Sequence, residues 1–442
     1  MGDQKLRQLA LSIIEDAIRS VDPFNLIHEQ INRSGSTLHL PGKQHLDLNA
    51  FNRIFVIGAG KGTAPMARAV EDLLSDKLHG GAIIVKYDHT DQLKKVRQYE
   101  AGHPVPDQNT LNGTAQVLNV ISDLNKADCV IVLLTGGGSA LLELLPDTIS
   151  LDDLQGVSRL LLECGATIHE INCVRKHISR IKGGQLARYI HPATCLTLAL
   201  SDVIGDDLSV IASGPTSPDS STFLDAIDII TRYDISQKLP QSVIHHLKTG
   251  RSGEISETPK SEDPLFKTVT NIVIGNNRLA LKRAAQQAEK NDFNTLILSS
   301  VLEGEAKEIA KVIAAIVREI QETGTPVPRP ACLLLGGEPT VHITGQGKGG
   351  RNQELCLAMA LTGISRPYLF ISCGSDGTDG PTDAAGAIVT ESTLQRSISA
   401  GLIASDFLRE NDSYHFFEHL SDLIKTGPTG TNVMDLILVF VP

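Results

Sequence analysis

Short, continuously apolar runs alternate with stretches of helical periodicity along most of the chain. Nine runs predict strands: Arg53–Ile57, Ala82–Val85, Cys129–Leu134, Thr194–Leu200, Ile272–Ile274, Thr295–Ser299, Ala331–Leu335, Tyr368–Ser372 and Leu436–Val441. Most lack the in–out alternation of a half-solvated sheet. This pattern predicts strands covered on both faces, hence a layered α/β architecture with largely parallel sheets. At the amino end Leu6, Leu9, Ile13, Ile14, Ala17, Ile18 and Val21 recur at helical spacing and predict an amphipathic helix. The pattern weakens between Asp234 and Lys267, where Lys248–Gly253 and Glu254–Pro264 are polar and punctuated by Gly and Pro. That stretch reads as a linker or mobile loop. With 442 residues, more than one core usually supports, two domains are expected, at 1–240 and 241–442.

Composition narrows the function. The hydrophobic share of 41% is enough for full cores, yet no run approaches the roughly 20 apolar residues of a membrane span. A net charge of −11 argues against a nucleic-acid partner, and any anionic substrate must meet a local basic cluster. Seven scattered cysteines without a C-x-x-C pair read as reduced core residues of a cytoplasmic protein.

Candidate chemistry sits where predicted strands end. Gly58-Ala59-Gly60-Lys61-Gly62 leads into a helix near Thr63, so Gly60 and Gly62 could let a backbone cradle approach an anion beside Lys61. A tight strand–helix turn explains the glycines equally well. Thr135-Gly136-Gly137-Gly138-Ser139 repeats the arrangement with more glycine than a turn needs. Gly345 to Gly350, with Lys348 and Arg351 beside a third helix start, predicts a second basic anion pocket. Asp376 and Asp379, in Gly374–Asp383 at another strand end, suit Mg²⁺ ligation or a general base, and Asp202 ends a strand in the same way. Basic residues also gather between Arg175 and Lys182, either as an anion site or as a solvated helix face. His103, in Gly102-His103-Pro104-Val105-Pro106, could touch substrate or merely sit in a proline-stiffened loop.

Taken in order, Ile57–Gly62, Ala101–Pro104, Leu134–Ala140, Leu200–Val203, Gly336–Thr340, Gly349–Glu354, Gly374–Gly380 and Thr426–Asp435 resemble the class II glycerate 2-kinases, whose C-terminal half carries the MOFRL region. The resemblance implies a Rossmann-like N-terminal domain, a distinct C-terminal α/β domain and an active site in the cleft between them. It implies phosphoryl transfer from ATP to the 2-hydroxyl of D-glycerate, with a divalent cation such as Mg²⁺ and with Lys61 and Arg351 as the active-site pair. Gly60, Gly62, Gly136, Gly137, Gly138, Ser139, Arg175, Lys348 and Gly350 are then expected to bind substrate or phosphate, with Asp376 and Asp379 catalytic and Asp202, Asp376 and Asp379 on the metal. The expected partners are small molecules, without nucleic acid or membrane, for a monomer or homodimer. Relatives have also been labelled hydroxypyruvate reductases, but the nicotinamide fingerprint is incomplete here. A non-catalytic nucleotide sensor is the alternative from another class.

Overall fold

Each of the nine apolar runs forms a strand in the computed structural model, which describes residues 2–442. Three short strands come first, β1 (Asn32–Ser34), β2 (Thr37–Leu40) and β3 (Gln44–Asp47), paired antiparallel. Six strands then build the first large sheet: β4 (Arg53–Ala59), β5 (Leu78–Lys86), β6 (Val96–Ala101), β7 (Asp128–Leu134), β8 (Thr194–Leu200) and β9 (Val269–Gly275). Their order is β6-β5-β4-β7-β8-β9, and the pairs from β6 to β8 are all parallel. The second large sheet holds β10 (Asn294–Leu302), β11 (Ala331–Gly337), β12 (Leu369–Gly374), β13 (Gly386–Thr390), β14 (Leu423–Ile424) and β15 (Asp435–Val441), in the order β10-β11-β15-β12-β13-β14.

The expectation of largely parallel sheets holds for the first sheet and fails for the second. There only β10 and β11 run parallel, while β15 is antiparallel to both β11 and β12. Every residue of β11, β12, β13 and β15 is nonetheless buried. Helices Ala306–Thr323 and Arg351–Leu361 supply Ile313, Val317, Ile320, Leu355 and Met359 to a core with Phe370, Ile437 and Val439. A continuous apolar run therefore reports that both faces are covered and carries no information about strand direction.

Two compact units result. One is Pro23–Ile274; the other joins the chain up to Asp22 with Gly275–Pro442. The division thus falls after residue 274, where a cut at 240 was expected, and the first helix belongs with the C-terminal half. That helix, Asp3–Arg19, buries Leu6, Ala10, Ile13, Ile14, Ala17 and Ile18 along one stripe, and each large side chain contributes roughly 1.5–3 kcal/mol. The supposed linker is an integral part of the first unit. Helix Gln241–Arg251 buries Val243 and Leu247, and Leu265 is buried beyond it. Charge pairing holds the rest: Glu257 meets His177 and Lys260, and Thr258 Oγ1 donates to Asp219. Apolar periodicity cannot reveal a segment anchored by such polar contacts.

Candidate active site

In the first unit, parallel pairing brings the carboxyl ends of β4, β5, β6 and β7 to one edge, where open α/β sheets bind ligands. Register places Ala59 opposite both Ile84 and Leu134, so the two glycine loops leave neighbouring strand ends. Gly60 has φ 145°, and a Cβ there would lie 2.0 Å from Thr135 Oγ1. Only glycine lets the loops meet so closely. Their amides are engaged. Gly60 N–H donates to Ile84 O (3.1 Å), Lys61 N–H to Gly136 O (2.9 Å) and Gly62 N–H to Thr135 Oγ1 (3.0 Å). Gly60 and Gly62 thus lock the loops together, their amides donating to protein acceptors where an anion cradle was expected. The Thr135–Ser139 loop differs. Gly138 N–H is taken by Thr135 O, but the N–H groups of Gly136 and Gly137 find no acceptor among the described residues.

Beside these amides stand cations without counter-ions. Lys61 and Lys86 enter no ion pair among the described residues. His103 joins them, a residue that sequence reasoning set aside. A Cβ on Gly137 would lie 2.9 Å from His103 Cδ2, 3.0 Å from its Nε2 and 3.4 Å from Lys61 Cγ, so both side chains flank that glycine. Burial, followed by the charges of Lys61 and Lys86 and the nearby His89, pushes the His103 pKa down to about 4. His89 is lowered too, by burial and Lys86, although it hydrogen-bonds the Lys61 backbone. The signal for His103 was its place at the end of a strand beside the glycine loops, but β6 (Val-Arg-Gln-Tyr-Glu-Ala) is too polar to stand out.

The depressed His103 pKa has a measurable sign. An unfolded chain protonates histidine near 6.5, whereas the folded protein keeps this ring neutral down to about 4. Between those values the unfolded state binds the extra proton, so His103 lowers stability as pH falls through that window. His103→Gln should therefore lose less melting temperature than wild type between pH 6.5 and 4. Equal losses in parallel thermal melts would show that the ring does not titrate in this way.

Around the second glycine loop, Ser139 Oγ lies 2.7 Å from Ser213 Oγ, which donates to Asn172 Oδ1 (2.9 Å). Asn172 opens the basic run, which is neither a solvated face nor one broad anion pocket. Lys182 is buried on Glu143 (2.8 Å) and Lys176 on Asp219 (3.2 Å). His177 meets Glu257 (3.3 Å); burial opposes its charge, but hydrogen bonds to Cys173 and Glu257 raise its pKa to about 9. Arg175 is the exception. Burial lowers its pKa, and its Nε is buried without a partner.

The second unit handles its charges differently. Asp435 opens the central strand β15, in register with Gly337 and Gly374, and is fully buried. Arg351, first residue of helix Arg351–Leu361, forks onto it through Nε (2.6 Å) and Nη2 (3.0 Å), while Nη1 reaches Glu338 (2.8 Å). Burial works against the Arg351 charge, but the Asp435 contacts prevail and raise its pKa. Lys348 Nζ sits 4.1 Å from the centre of the Tyr414 ring. The expected second anion pocket thus has its arginine bound by two carboxylates and its lysine on an aromatic face.

Gly350 is explained by close approach, since a Cβ there would lie 2.3 Å from Asp379 Cγ. Asp379 is buried and caps the helix from outside. It accepts from Asn352 N–H (3.0 Å), Gln353 N–H (2.8 Å), Gln353 Nε2 (2.9 Å) and Asn352 Nδ2 (3.2 Å). Burial pushes its pKa up to about 6 against those donors. Asp379 is therefore a helix anchor, its carboxylate engaged by protein donors where a base or metal ligand was expected. Asp379→Ala should lose about 1–3 kcal/mol in urea unfolding, because buried donors are stranded; an unchanged midpoint would remove this role. Asp376 is half-buried and accepts from Thr378 N–H (3.0 Å) and Oγ1 (2.9 Å). A Cβ on Gly374 would lie 3.4 Å from Asp376 Oδ1 and 3.7 Å from Asp435 Oδ1, so the two carboxylates flank one point. Asp202 lies in the loop after β8, in the first unit. Among the described residues no three His, Cys, Asp or Glu side chains are grouped to hold a metal ion, and no helix is long and apolar enough to cross a membrane.

Comparison with known proteins finds relatives along the whole chain. Residues 9–248 match a domain of unknown function, DUF4147, and residues 331–435 match the MOFRL family. A glycerate 2-kinase of Pyrococcus horikoshii is 40% identical, covering 99% of this chain and 97% of that protein. A D-glycerate 2-kinase of Thermotoga maritima is 41% identical over 98% of both. The crystal structure of a glycerate kinase from Thermotoga maritima superposes with a TM-score of 0.87 at 39% identity, covering 99% of this chain and 100% of that one.

Proposed function

Because the chain belongs to the class II glycerate 2-kinase family, we propose that it transfers the γ-phosphoryl group of ATP to the 2-hydroxyl of D-glycerate, giving 2-phosphoglycerate and ADP. The observation that carries this reading is the unpaired Lys61 beside the acceptor-less amides of Gly136 and Gly137. In an acidic protein these donors suit a polyanionic substrate. Phosphoryl transfer requires such preorganised donors more than covalent chemistry, because charge spreads over the transferred group. Lys61 supplies the mobile positive charge, and the Gly136–Ser139 loop orients oxygen atoms. Arg351 acts in the second unit, its guanidinium fixed by Asp435 and Glu338.

Magnesium commonly takes one or two protein carboxylates and completes its shell with phosphate oxygens and water. The residues present fit that mode and not an all-protein cage. Asp376 is bound to no cation of the protein, whereas Asp379 caps a helix and Asp383 is held by Lys425 and Tyr414, so Asp376 either holds the metal or receives the hydroxyl proton; Asp202 is the next candidate. A bound cation would neutralise charge on the phosphates. Asp376→Asn should leave the melting temperature unchanged. A raised Mg²⁺ requirement, relieved by more metal, marks a ligand. A kcat loss that no metal concentration restores marks a base. Unchanged kcat and unchanged metal dependence would make the loop a turn only.

The test of the whole reading is one assay. ADP release with D-glycerate should accompany formation of 2-phosphoglycerate. Initial formation of 3-phosphoglycerate, or NADH oxidation with hydroxypyruvate in place of ATP turnover, would overturn it. Small hydroxy acids and ATP are the proposed partners, and the cytoplasm the proposed compartment.

A further inference from the structure

Helix Ile168–His177 and the turn after it carry four cations toward the interior of the first unit, and three have carboxylate partners: Lys176 with Asp219, His177 with Glu257, and Lys182 with Glu143. Arg175 has none. Its Nε is buried with no hydrogen-bond partner, and no ion pair reaches its guanidinium among the described residues. Arg175 is half-buried, with Nε out of reach of water, and an unsatisfied buried donor in a native protein calls for an occupant.

The surroundings locate that occupant. Asn172 lies one turn earlier on the same helix face, and its Oδ1 accepts from Ser213 Oγ, which meets Ser139 Oγ at 2.7 Å. Ser139 directly follows the loop whose Gly136 and Gly137 amides lack acceptors. Glu143, the carboxylate whose field reaches Arg175, is already held by Lys182 Nζ (2.8 Å) and Ser179 Oγ (2.5 Å). Arg175 and the glycine loop therefore flank one chain of hydroxyls, both with donors to offer and no protein acceptor.

We propose that Arg175 binds an oxyanion of a substrate, as a planar fork next to the Gly136–Ser139 loop. A guanidinium matches carboxylate or phosphate through two parallel N–H bonds, which a lysine cannot reproduce. Building on the kinase reading, the oxyanion is the carboxylate of the hydroxy acid or a phosphate of the nucleotide.

The experiment uses the full chain as wild type, Arg175→Met and Arg175→Lys. Thermal melts are recorded alone, with D-glycerate and with inorganic phosphate, and KM is measured for D-glycerate and for ATP. Without ligand, Arg175→Met should melt no lower than wild type, because an apolar side chain replaces a half-buried guanidinium whose buried Nε has no partner. Its KM for one substrate should rise roughly ten- to hundredfold, the range for a lost charged hydrogen bond. A rise for glycerate identifies the carboxylate, and a rise for ATP identifies the phosphate. Arg175→Lys should recover only part of the loss. An Arg175→Met protein that fails to fold, or that melts several degrees lower with both KM values unchanged, overturns the proposal. If wild type shows no turnover, the kinase reading fails by itself. The melts then still decide: a shift by glycerate or phosphate in wild type that is lost in Arg175→Met supports the site, and identical shifts refute it.

Discussion

Arg351→Met will unfold at markedly lower urea concentration than wild type and will also lose turnover. Sequence alone places Arg351 on a glycine-rich loop, where side chains add little to stability. In the structure it is the partner of Asp435, a fully buried carboxylate at the head of the central strand. Removing one member of such a pair strands the other charge, at a penalty on the order of 3 kcal/mol. The lower end of the measured range applies because the Arg351 side chain is 34% exposed. Adding Asp435→Asn should restore much of the stability, since the stranded charge is gone, while leaving the enzyme inactive. Unfolding curves and kcat on the three proteins separate the scaffold role from the chemical one. If Arg351→Met unfolds like wild type, the pair does not hold this end of the sheet.

Lys61→Met should behave in the opposite way. Its backbone N–H stays tied to Gly136 O, and its side chain enters no ion pair among the described residues. The melting temperature should therefore hold, while kcat falls on the order of a hundredfold or more, as when one preorganised charge-stabilising donor is removed. Near-wild-type kcat in a folded Lys61→Met protein would place the phosphoryl group elsewhere.

What the sequence reveals and conceals follows from physical range. Strands such as Cys129–Leu134 and Leu436–Val441 are legible because burial on both faces writes an unbroken apolar run. Val96–Ala101 is not, since an edge strand carries Arg97, Gln98 and Glu100 on its open positions. The candidate site shows the same limit. Lys61 and the glycine loops stand out locally. The pairing of Arg351 with Asp435 joins residues 84 apart, and the capping of a helix by Asp379 joins residues 26 and 27 apart. Neither leaves a local trace, so a carboxylate engaged in holding the fold looks the same in sequence as one available for chemistry. The choice between His103's two readings stays open in the sequence, because it depends on which strand ends are neighbours.

The position of the first helix has a consequence for how the protein is made. Asp3–Arg19 precedes Pro23–Ile274 in the chain, yet its partners follow that whole unit: Asp16 pairs with Arg283 at 2.7 Å and Arg7 with Asp422 at 2.6 Å, and just beyond the helix Val21 O accepts from Thr431 Oγ1 at 2.6 Å. The whole of Pro23–Ile274 is synthesised, and free to fold, between those two events. Until the segment after Ile274 emerges, the helix carries Leu6, Ile13, Ile14 and Ile18 without its native cover. That interval makes the nascent helix a natural client for a chaperone that holds apolar helices, and a ribosome stalled before residue 275 would display an unburied hydrophobic stripe.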